Sequence, residues 1–136
     1  MSNLKLPVMN FGNLNRLVGE RYAKRIAHNT TATGNETYAS VYYHNNFIGE
    51  VWQGGVYLNT AGWATQTTVA RLNAMLQDSL TATPYRVCIR DGAVCLTDTR
   101  DKKARHYFRD VIVYDDGTLV TEGAWSSSLR RDQKAA

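Results

Sequence analysis

The chain has 136 residues, sixteen Lys and Arg against twelve Asp and Glu, a formal net charge of +4 and a pI of about 9.2. That length fits one domain able to bury roughly two-thirds of its unfolded surface, so neither disulfides nor a metal are required for folding. No apolar run approaches the roughly 18 residues of a membrane span and the start, MSNLKLPVMN, lacks the pattern of a signal peptide, so a soluble cytoplasmic protein is expected.

Residues 1–22 form an N-terminal segment in which Leu14, Leu17, Val18 and Tyr22 recur at helical spacing behind Asn13 as a cap, predicting a short helix. Residues 23–122 read as one α+β domain, an antiparallel meander of hairpins packed against one main helix. Its first strands are 24–33, 37–44, 47–53 and 56–59, with turns at Gly34-Asn35, Asn45-Asn46 and Gly54-Gly55. These registers put Tyr42, Phe47, Val51, Val56 and Leu58 on the core face. Val41, Tyr43, Ile48, Glu50, Trp52, Tyr57 and Asn59 fall on the other, with Trp52 opposite Tyr57. The second set reads either as an exposed stacking surface or as a small second core.

Thr65 or Thr67 caps a helix over about 66–80 whose apolar positions Val69, Leu72, Met75, Leu76 and Leu80 form one stripe, leaving Arg71, Asn73, Gln77 and Asp78 toward water. Asp91-Gly92 then turns a hairpin in which Cys88 faces Cys95, a pair expected to be reduced small hydrophobes. Val87, Ile89, Val94 and Leu96 point inward; Arg86 and Arg90 point outward. A loop over 98–104 leads into a strand over 104–114, turned at Asp116-Gly117 into 118–121. Alternation places His106, Phe108, Ile112 and Tyr114 inward and Arg105, Tyr107 and Arg109 outward. Residues 123–136 read as a mobile tail.

The runs RIAHNTT at 25–31, LNTAGW at 58–63 and TTVARLN at 67–73 resemble a small domain recurring in bacteriophage proteins, with the pattern NNT, a strand pair, LNSGGW and T-TT--R-N on a helix. The resemblance spans about 24–114. His28 stands where Asn is frequent, and Val69-Ala70 where Lys-Asp is frequent. It implies a phage origin and an α+β fold, and carries over no catalytic residue.

Charge points to function. Residues 100–109 (RDKKARHYFR) hold five bases and one acid, a local +4 equal to that of the whole chain, so the remaining residues balance. Metalloprotease, nucleophile-elbow, phosphate-loop, dinucleotide and deaminase motifs are absent, and no catalytic, metal or cofactor residues are assigned. His28 reads as a local hydrogen-bonding residue or as a general base without a nameable partner. Gly62-Trp63 reads either as an anion cradle at the helix start or as a bend with a core plug.

The first functional reading is a non-enzymatic protein that binds single-stranded DNA or RNA, a replication or transcription accessory that recruits a phage or host RNA polymerase. Arg86, Arg90, Lys102, Lys103, Arg105 and Arg109 would meet phosphates, and Tyr107, Trp52 and Tyr57 would stack on bases. The alternative is a phage protein that inhibits or redirects a host protein through the same basic surface. A homo-oligomer is compatible with either.

Overall fold

The computed structural model describes residues 5–125, apart from the side chain of Lys102. A short helix, α1 (Phe11–Val18), precedes five strands: β1 (Ala23–Ala27), β2 (Thr30–Gly34), β3 (Ala39–Tyr43), β4 (Asn46–Trp52) and β5 (Gly55–Asn59). The main helix, α2 (Gln66–Ser79), leads to β6 (Tyr85–Arg90), β7 (Ala93–Asp98), β8 (Asp101–Tyr107), β9 (Asp110–Tyr114) and β10 (Leu119–Val120). Two antiparallel sheets result, one ordered β1-β2-β3-β4-β5-β9-β10 and one ordered β6-β7-β8. The architecture is α+β, as expected.

The helix α2 forms because its apolar stripe has surfaces to cover on both sides. It contacts β4 and β5 of the large sheet and β6 of the small one, burying Val69, Leu72, Met75 and Leu76. Val51, Val56, Leu58, Val111 and Val113 from the large sheet and Val87, Val94 and Leu96 from the small one belong to the same apolar cluster. Thr65 caps the helix, its hydroxyl accepting from the Thr68 N–H. Met9, Leu14 and Val18 join that core, so the N-terminal segment is continuous with it. Its cap is Asn10 rather than Asn13, the Asn10 side chain accepting from the Asn13 N–H, and Tyr22 lies beyond the helix, 91% exposed.

Four strand expectations are corrected. Residues 24–33 are not one strand, because His28 and Asn29 make a turn and Asn29 takes φ 50°. The next turn is at His44 and Asn45, with φ 51° and 65°, so Tyr43 pairs with Asn46. Val41 pairs with Gly49 and Tyr42 with Phe47, leaving Ile48 as a bulge. That extra residue reverses the alternation: Val41, Tyr43 and Ile48 pack on the main core, and Phe47 goes to the opposite face. The following turn is one residue earlier than expected, so Trp52 pairs with Gly55 and Tyr57 with Glu50. Finally, residues 104–114 break at Phe108 and Arg109, β8 completing the small sheet and β9 crossing to pair with β5.

The outer face of the large sheet carries a second apolar cluster, Trp52, Tyr57, Ile112 and Ala124, with Tyr38, Phe47, Tyr114 and Val120 against it. The Trp125 ring lies 5.3 Å from those of Phe47 and Tyr57. The start of the expected tail is therefore packed, because it covers aromatic rings; residues 126–136 lie outside the described residues.

Candidate nucleic-acid interface

The three-stranded sheet presents one face to the core and one to solvent. Cross-strand pairing decides which residues share each face, since directly opposed side chains project to the same side. Arg86 pairs with Thr97 and Thr97 with Arg105, so both arginines lie in one row across the sheet. The next row is Cys88, Cys95 and Tyr107, and Arg90 opposite Ala93 begins a third. Arg86, Arg90, Arg105 and Tyr107 are exposed, Tyr107 by 48%.

The strands bearing these arginines are not neighbours. They flank β7, which sets the Arg86 and Arg105 backbones about 10 Å apart, two strand spacings. Small side chains fill the middle strand: Ala93, Cys95 and Thr97. The result is a shallow surface with cations at its margins and an aromatic ring on one side.

The basic run divides internally. Arg100 is not part of the free charge: its Nε and one terminal nitrogen donate to the two Asp98 carboxylate oxygens at 3.0 and 2.8 Å. These hydrogen bonds hold the Asp98 carboxyl down at about 2. Thr99 and Arg100 form a tight turn, so β8 already begins at Asp101 and the expected loop over 98–104 is largely strand. The pairing of Asp98 with Asp101 and Thr97 with Arg105 leaves residues 102–104 without a β7 partner, bulging the basic stretch out of register. Lys103 is exposed there, and the Lys102 side chain lies outside the described residues. Arg109 is exposed just past the strand end.

One carboxylate intrudes on this face. Asp91, at the tip of the β6–β7 turn, lies 3.7 Å from a terminal nitrogen of Arg105 and accepts from the Tyr107 hydroxyl at 3.5 Å. Hydrogen bonding with Tyr107, reinforced by the Asp91 and Cys95 groups, raises the Arg105 guanidinium above its ordinary range. Beneath them, burial pushes the Cys95 thiol up and neighbouring Cys88 adds to the shift, so Cys95 is a protonated space-filler.

Two expected stacking residues are elsewhere. Trp52 and Tyr57 are only 2% and 1% exposed, on the far sheet, and their rings form the second small core. The Tyr57 hydroxyl donates to Asp110 at 2.8 Å and accepts from the Asn59 amide at 3.1 Å. This is a correction: Tyr57 is covered by Phe47 and Trp125, Trp52 packs edge-on to Tyr114, and neither ring is exposed for a base to stack on.

The residues behind the phage-domain resemblance converge on a buried arginine. Arg71, expected to face water, is 1% exposed. It donates to the Thr30 hydroxyl at 2.7 Å, and to the Thr67 and His28 carbonyls at 2.8 Å each. Asn73 bonds both ways with the Val87 backbone at 2.8 Å, tying α2 to the small sheet. Helical periodicity missed these two because their partners come from distant hairpins.

The family described as Kyanoviridae Gp96 protein matches residues 13–121. The chain belongs to that family. It is thus a bacteriophage protein, and the match reaches from within α1 to just past β10. No curated protein and no solved structure matches the chain. Among the described residues, no group of three His, Cys, Asp or Glu side chains could hold a metal, and no helix is long and apolar enough to cross a membrane.

Proposed function

We propose that this Kyanoviridae Gp96 family protein binds single-stranded DNA or RNA on the outer face of its three-stranded sheet. The observation that carries the reading is the row of Arg86, Thr97 and Arg105 with the exposed Tyr107 ring one row away. Arginine forks bind phosphate oxygens bidentately, and a tyrosine face stacks on any base, so the pair suits an unpaired strand of arbitrary sequence.

Single strands are favoured over duplex by what projects from the fold. Major-groove readers insert a helix or a two-stranded ribbon. Here α2 is held between the two sheets, and its exposed positions Gln66, Thr67, Gln77 and Asp78 carry no positive charge. In an infected cell such a protein would act in the cytoplasm as a replication or transcription accessory, holding unpaired template near a polymerase.

The experiment is a salt titration with labelled single-stranded DNA, RNA and duplex. Five phosphate contacts, from Arg86, Arg90, Lys103, Arg105 and Arg109, give a log–log slope of about −3.5 on single strands. Replacing Arg86 and Arg105 together with Ala flattens that slope by about 1.4. Absence of binding at low salt sinks the proposal and turns the same face toward an acidic protein surface.

A further inference from the structure

Trp63 belongs to neither apolar cluster. It is 54% exposed, and it forms part of the wall of two adjacent cavities. One, of about 260 Å³, is bounded by Tyr43, His44, Asn46, Ile48 and the threonines at the start of α2. The other, of similar volume, has Phe108, Val94 and Arg109 on its far side. The indole therefore stands between an aromatic pocket and the arginine that ends the basic run.

The chain holds it there. The Thr60 N–H donates to the Arg109 carbonyl at 2.9 Å, and the Trp63 N–H donates to the Thr60 carbonyl at 2.9 Å. Two further bonds set the loop, Ala61 N–H to the Asn59 side chain at 2.8 Å and Gly62 N–H to the Thr60 hydroxyl at 3.2 Å. Ala61 and Gly62 turn it with φ of 54° and 82°. Opposite the indole, the Tyr43 and His44 rings lie 4.3 Å apart, and Tyr43 is backed by the Arg71 guanidinium.

We infer that this cleft takes one unpaired nucleobase, stacked on Trp63, as an extension of the strand path that begins at Arg105 and Tyr107. The inference rests on the single-strand reading above and adds a second stacking position to it. The pocket is below the roughly 300–1,000 Å³ of a site for a drug-sized ligand, which suits a single ring system. Its wall is largely apolar and aromatic, with the Asn46 amide and the Thr67 hydroxyl at hand for a base edge. Arg109 beside the second cavity supplies the cation for the phosphate that follows. With Trp52 and Tyr57 buried, Trp63 and Tyr107 offer exposed rings, and Trp63 shares a cavity wall with Arg109.

The test measures affinity for oligo(dT) and oligo(rU) of increasing length, together with tryptophan fluorescence. Trp63→Ala should weaken binding to longer oligomers by about five- to a hundred-fold with the salt slope unchanged, as loss of one stacked base requires. Trp63→Phe should restore most of the affinity, and parent fluorescence should be quenched on binding by a component missing in Trp63→Ala. Equal loss on dT and rU assigns the pocket to the base; a loss on one alone assigns it to that nucleic acid. Far-ultraviolet circular dichroism confirms that the variants fold. If Trp63→Ala binds as the parent does while Arg86→Ala and Arg105→Ala weaken binding, the cleft is overturned and the basic face stands. If the parent binds no oligonucleotide at low salt, both are overturned.

Discussion

The guanidinium carbon of Arg71 sits 3.8 Å from the centre of the Tyr43 ring, so a buried cation is shared between a helix and the large sheet without a carboxylate. Burial lowers its pKa from the ordinary value and the Tyr43 ring opposes that shift. Three hydrogen bonds in a planar fork, capped by an aromatic face, need the geometry of arginine. Arg71→Lys keeps the charge and loses the fork, and should cost about 2 kcal/mol of folding stability. Arg71→Ala should cost about 3–5 kcal/mol by removing three buried hydrogen bonds and the packing on Tyr43 and leaving a void. Urea unfolding of both variants measures the difference.

Acid should act through Asp98. Its carboxyl is held at about 2 from an ordinary 3.8, first by the Arg100 side chain and then by the Arg100 backbone N–H. A carboxylate with a depressed folded-state pKa favours folding above its unfolded value, and that contribution is lost as pH falls from about 4 toward 2. Asp98→Asn should therefore flatten the fall in the urea midpoint between pH 4 and pH 2. An unchanged profile would show that other carboxylates, Asp116 among them, govern acid unfolding.

Asp91 competes with phosphate for Arg105. Asp91→Asn should tighten binding to single strands several-fold while the log–log salt slope stays at about −3.5, since Arg105 is already among the five phosphate contacts. Asp91 has φ 55° ahead of Gly92, and Asn-Gly favours the same hairpin turn, so the substitution leaves the fold in place. Filter binding at several salt concentrations reads affinity and slope.

Gly49 is required by close approach. A methyl group there would strike the Tyr57 carbonyl and the Met75 terminal methyl. Gly49→Ala should destabilise the protein by about 1–3 kcal/mol, measured by thermal melting, because strand β4 must shift off α2.

Legibility followed the range of the forces involved. The α2 stripe is local chemistry, and its bounds of 66–79 fall within one residue of expectation. Asp91-Gly92 permits one turn, so the Cys88 and Cys95 pairing and the outward arginines of β6 were readable. Turns without such a pair were not. His28-Asn29 and His44-Asn45 reach left-handed conformations in residues that also fit strands, and the bulge at Ile48 leaves no mark in composition. The face of Phe47 and the split of 24–33 were accordingly misread.

The candidate interface divides the same way. Arg105 and Tyr107 follow from alternation along one strand. That Arg86 shares a row with Arg105 depends on β7 lying between them, a tertiary fact. Trp63 was assigned as an anion cradle or core plug because nothing local says that the loop before α2 holds its indole outward.

The pairing of β5 with β9, Tyr57 opposite Ile112, has a kinetic consequence. Strand β5 remains a bare edge until nearly the whole matched sequence has been synthesised, with α2 and the small sheet interposed. Such long-range closure places folding in the slower millisecond-to-second regime and leaves Val56 and Leu58 open to intermolecular strand pairing meanwhile. The yield of native protein therefore depends on how quickly that edge is covered.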